Sequence, residues 1–160
     1  SMKDILDEAT DYLDDKKKKE KDQRDNGYMN IIREYNDKIL SQSESRKNNI
    51  KTRTQILAEI LIKEEELNSF QRKLEHNKLA PNNTIKLRLE KEKDHNIYMS
   101  EITIIKEELD KLITKELFYY GEIENCEIEI DRLSGDLKEY HSSLKIERPS
   151  LGRLKSGKSE

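Results

Sequence analysis

The sequence predicts an all-α coiled coil built from two long helices broken at Pro81, and three observations carry that prediction. Charged residues occupy 41% of the 160 positions and hydrophobic residues only 32%, too few to fill the interior of an ordinary domain. The 31 basic and 34 acidic side chains nearly cancel, to a net of −3. That balance suits exposed helices laced with opposite-sign pairs better than a self-repelling disordered chain. Finally, apolar residues return on a heptad stripe through most of the length, the pattern of a helix that buries one seam against a partner.

The first 27 residues read as a charged amphipathic segment. Ser1-Met2 has the look of a tag-cleavage scar. Leu6, Ala9 and Leu13 make a short apolar stripe, and Asp14 to Asp22 contains no apolar residue, so that stretch is expected as solvated or frayed helix. Asn26-Gly27 is a weak turn signal. Residues 28–79 form the first predicted coiled-coil helix. Its a positions hold Ile32, Ile39, Arg46, Arg53, Ile60, Leu67 and Leu74; its d positions hold Tyr28, Tyr35, Gln42, Asn49, Ile56, Lys63, Phe70 and Asn77. Both ends are apolar, and Ser41 to Arg53 is the weak middle.

Residues 80–84 are the predicted loop. Proline lacks the amide donor and restricts the residue before it, so the first helix should end near Leu79, and Asn83 or Thr84 can cap the next. The second helix is predicted over 85–147. Its a positions are Ile102, Leu109, Glu116, Ile123, Ile130, Leu137 and Leu144; its d positions are Tyr98, Ile105, Leu112, Tyr119, Cys126, Leu133 and Tyr140. Glu116 alone among them is charged. Residues 148–160 read as a flexible basic tail.

Two architectures compete. The favoured one is an antiparallel hairpin that folds at residues 82–83 and self-associates into a bundle. The alternative is a parallel dimeric rod flawed at Pro81. The rod keeps heptad phase, since Leu74 and Ile102 lie 28 residues apart. It also stacks Arg46, Arg53 and Glu116 each against its own copy, which is unfavourable in a partly buried seam. The hairpin turns this conflict into a polar seam. Glu116 faces Asn49, with Arg46 and Arg53 one layer away, and Tyr119 faces Arg46 for a cation–π contact. Off the seam, Ile113, Leu117, Phe118 and Tyr120 make a candidate second interface.

Chemical motifs are sparse. Gly152 to Ser159 matches the phosphate-loop pattern G-x-x-x-x-G-K-S, yet Ile146 to Pro149 is not the buried strand such a loop follows. His76, His95 and His141 are far apart, with His95 expected in the seam. Cys126 acts as a small hydrophobe at d and, as the single cysteine, allows no intrachain disulfide. No catalytic, cofactor-binding or metal-binding residues are expected. With no apolar run near the ~20 residues of a membrane span and no signal-peptide core, an intracellular setting, cytoplasmic or nuclear, is expected.

The predicted function is a non-enzymatic scaffold, oligomerisation or protein–protein interaction segment of a larger assembly, whether cytoskeletal, centrosomal, kinetochore, ciliary or tethering. Its partners are itself, as a homo-oligomer, or another helical protein. Alternatives are a nucleic-acid or filament-binding rod using the Arg46, Lys47, Lys51 and Arg53 patch, and the stalk of a longer ATPase or motor. Nucleic acid is the less favoured partner, because four positive charges on an acidic chain attract it weakly. Small-angle scattering separates the architectures: the fold-back is expected to span roughly 95 Å, whereas an unfolded-out rod would span roughly 215 Å.

Overall fold

The computed structural model describes residues 1–147. It contains two helices, α1 (Met2–Lys78) and α2 (Ile85–Glu147), which pack against each other, and no strand occurs among the described residues. The contacts divide into two compact units. One joins residues 1–43 to α2 from Glu127 onward; the other is 44–126.

α1 runs straight through Asn26-Gly27, which corrects the turn expected there. Gly27 holds a negative φ like its neighbours. A glycine inside a helix costs about 1 kcal/mol, which the continuous hydrogen-bond ladder on either side absorbs. Residues 1–24 are exposed throughout, so Leu6 and Leu13 bury no stripe among the described residues.

In the first unit the apolar contacts come from the expected heptad positions. Leu133 is buried, and Ile32, Ile39, Ile130, Leu137, Tyr140 and Leu144 are half-buried. Tyr140 lies between two rings of α1, with centroids 6.4 Å from both Tyr28 and Tyr35. Edge and tilted contacts of this kind add to plain burial. Arg132 of α2 pairs with Glu129 one turn before it and Asp136 one turn after it. Arg132 hydrogen-bonds the Glu129 carboxylate and so holds it below the usual carboxylate range.

The second unit carries the larger apolar cluster. Ile56 and Ile60 of α1 meet Ile105 and Leu109 of α2, and Leu67, Phe70, Leu112 and Tyr119 pack around them. Ile102 and Cys126 are also buried; Leu74 and Ile123 are half-buried. Ascending α1 residues meet descending α2 residues: Arg53 with Glu116, Lys63 with Glu108, Phe70 with Tyr98 and Asn77 with Lys91. The last two pairs each sum to 168, and the others fall within three of that. A fold centred on residues 82–83 implies sums near 165, so the observed contacts sit about half a heptad further along.

The connection explains where each helix stops. α1 closes with tighter bonds, the amides of Leu79 and Ala80 donating to the carbonyls of His76 and Asn77 at 3.1 Å. Thr84 is the N-cap of α2, its Oγ1 accepting from the Leu87 amide at 3.1 Å. Between them, buried Asn77 donates to the Lys91 carbonyl at 2.9 Å, and Lys91 Nζ donates to the carbonyls of Lys78 at 2.8 Å and Ala80 at 3.1 Å. Lys91 thus satisfies carbonyls that the end of α1 leaves without intrahelical donors.

Near this end the buried stripe of α2 drifts. Leu87, Lys91 and Asp94 are half-buried and His95 is exposed, which corrects the expected seam histidine. Lys91→Met is expected to lower stability by about 1 kcal/mol, because the terminal carbonyls of α1 lose a charged donor. A urea melt of the variant against the parent checks this.

Candidate interaction surfaces

The polar seam lies in the second unit. Glu116 Oε1 accepts from both Nε and a terminal nitrogen of Arg53, each at 2.9 Å, and the Glu116 side chain is only 15% exposed. Such charge-assisted bonds offset the desolvation of a carboxylate in an apolar stripe. Arg53 also lies 5.3 Å from the centroid of the Tyr120 ring. One arginine therefore serves both the ion pair and the cation–π contact, where the sequence pattern placed Glu116 opposite Asn49 and gave Tyr119 to Arg46. The half-heptad displacement of the register brings Arg53 level with Glu116. Arg46 is half-buried, and Asn49 Nδ2 instead lies 3.9 Å from Cys126 Sγ.

Lys63 Nζ pairs with Glu108 at 2.6 Å and Glu66 at 3.3 Å. Hydrogen bonding to Glu108, then to Glu66, raises the Lys63 pKa above the ordinary lysine value. A raised lysine contributes stability that is fully present below its unfolded pKa and is lost only as pH rises through the folded one. The contribution of the Lys63 ammonium is therefore constant across the neutral range.

The four residues expected to form a second interface are all exposed, but they do not share one face. Phe118 packs its ring against Tyr119 and lines a groove with Thr52, Gln55, Glu59 and Lys115. Ile113, Leu117 and Tyr120 fall at e and b positions on the other flank, beside Arg53. Helices running in opposite directions bring their e positions to the same flank, where Ile50 and Leu57 of α1 lie level with Tyr120 and Ile113. Leu61 of α1 and Leu117 of α2 extend the patch outward. These six are between 36% and 63% exposed. The three α1 members were missed because Ile50 stands alone among polar residues, while Leu57 and Leu61 adjoin the seam residues Ile56 and Ile60 and read as part of the same apolar run; their grouping emerges only once the register across the two helices is known.

Among the described residues, no group of three or more His, Cys, Asp or Glu is arranged to hold a metal ion, and no helix is long and apolar enough to cross a membrane. The phosphate-loop match at 152–159 lies outside the described residues.

Arg53→Met is expected to destabilise the fold by about 1–2 kcal/mol, since it strands the Glu116 carboxylate in the seam. Adding Glu116→Leu should return stability to the parent value or above, because a packed apolar pair replaces the ion pair. Chemical denaturation of the two variants tests both statements. No protein-family model, curated protein or solved structure matches this chain.

Proposed function

We propose that this chain is a non-enzymatic antiparallel coiled-coil hairpin that acts as a scaffold or protein–protein interaction segment in a larger intracellular assembly, of the cytoskeletal, centrosomal, kinetochore, ciliary or tethering kind. The observation that carries the reading is the burial pattern. From Tyr28 to Asn77 in α1, every a and d position is buried or half-buried, and nearly every other position is exposed. Positions 98–144 of α2 follow the same alternation. A stripe repeated over so many turns supports a role in lateral contact between helices, the use that coiled coils make of such a seam.

The six-residue apolar flank supports the interaction role, since such patches mark binding sites on exposed helices. The nucleic-acid alternative is weakened by the basic patch itself, where Arg53 is already committed to Glu116 and Tyr120.

The hairpin is tested with Phe70→Cys and Tyr98→Cys in a Cys126→Ser background. A short bis-maleimide is expected to bridge the two cysteines within one chain, and bridging only between chains would refute the fold-back. The double variant Leu109→Asp, Leu133→Asp removes one buried seam residue from each unit. It is expected to lose helicity and any self-association, because two charges then lie in the stripe that holds the helices together. Unchanged ellipticity and mass would overturn the scaffold reading.

A further inference from the structure

The apolar flank of the second unit is bounded by four exposed charges. Lys47 of α1 and Glu124 of α2 stand level at one end, and Glu64 of α1 and Lys106 of α2 stand level at the other. None of the four enters an ion pair among the described residues. Each end thus carries one charge of each sign, arranged oppositely at the two ends. A surface of this kind is complementary to itself.

The geometry points to a second copy of this chain as the occupant of the flank, seated about a two-fold axis that crosses the helices. α1 then lies antiparallel on its counterpart, and α2 on its own. In α1 the numbers of facing residues sum to 111: Lys47 meets Glu64, Ile50 meets Leu61, and Thr54 meets Leu57. In α2 they sum to 230: Lys106 meets Glu124, Ile113 meets Leu117, and Asp110 meets the Tyr120 hydroxyl. The two sums agree with a single axis, because the contacts within one chain place position 55 of α1 level with about 115 of α2. Ile50, Leu61, Ile113 and Leu117 meet apolar side chains, Leu57 meets the small Thr54, Tyr120 meets Asp110 through its hydroxyl, and every rim charge meets its opposite.

A two-fold axis running along the helices also pairs the rim charges, but differently, with Lys47 on Glu124 and Glu64 on Lys106. It sets Leu61 against Asp110, a carboxylate on an apolar contact, which disfavours it. The crosswise axis brings Asp110 to the Tyr120 hydroxyl instead, a group that donates a hydrogen bond to a carboxylate. The facing strip from Lys47 to Glu64 is about 25 Å long and two helices wide, on the order of 500 Å² per copy. That is the small end of specific interfaces, so a dissociation constant on the order of micromolar is expected.

The dimer rests on the fold-back proposed above, and the test keeps the two apart. Sedimentation equilibrium of the full chain is expected to show a concentration-dependent dimer. Leu61→Asp with Leu117→Asp should abolish it while leaving helicity intact, since both side chains are exposed. Lys47→Glu should weaken it about tenfold, because each dimer then holds two Glu–Glu contacts. Adding Glu64→Lys should restore it to within about threefold of the parent under the crosswise axis. Under the lengthwise axis the same double swap would set the carboxylate introduced at position 47 against Glu124 and stay weak, which would overturn the arrangement. A chain monomeric at every concentration, or a dimer indifferent to Leu61→Asp with Leu117→Asp, would overturn the second copy as occupant. If the Phe70→Cys, Tyr98→Cys bridge still forms within one chain, the hairpin survives that failure; bridging only between chains would bring down both.

Discussion

The stability of this molecule depends on one narrow stripe of side chains in each helix. With hydrophobic residues at only 32% of positions, the chain has apolar surface for a seam and not for an enclosed interior. Even its best-packed side chains, Ile105 and Leu133, keep 3% of their surface exposed. Such a structure gains stability by repetition, each heptad layer adding a similar modest burial. It follows that a polar residue within the stripe has to be matched across the seam. Glu116 is tolerated because Arg53 reaches it, and Asn77 because it bonds a backbone carbonyl of the opposite helix.

The connection acts on the rest through register. Pro81 ends the possibility of a continuous helix, yet the proline does not choose which residues face each other. The Asn77–Lys91 bond and the carbonyls that Lys91 gathers at the end of α1 fit one pairing, the same one that the apolar cluster and the Arg53–Glu116 pair adopt. Once Asn77 and Lys91 are level, Phe70 meets Tyr98 and Arg53 comes within reach of Glu116. A displacement of half a heptad would separate the charged pair and send the Tyr120 ring away from the guanidinium.

The same register creates the outer flank. Along α1, Ile50 lies among polar residues and Leu57 and Leu61 lie next to the buried Ile56 and Ile60, so none signals a separate interface by itself. Opposite Tyr120, Ile113 and Leu117 they become one apolar surface with a balanced rim. Phe118 shows the converse. Adjacent to Leu117 in sequence, it is turned by about 100° on the helix and belongs to the groove on the other flank.

The amino-acid sequence by itself determined the helical class, the stop near residue 79, the start at residue 85 and the positions that bury, because helix period, proline geometry and capping are local properties. It misjudged Asn26-Gly27, where the length of the surrounding ladder overrides a local turn preference, and His95, where Asp94 takes the half-buried place that the repeat assigned to the histidine. Which arginine answers Glu116, and which exposed residues share a flank, were decided only by the tertiary structure. Those relations depend on the axial offset between two helices, and a heptad pattern leaves that offset open because sliding by a whole repeat preserves the pattern while changing every partner.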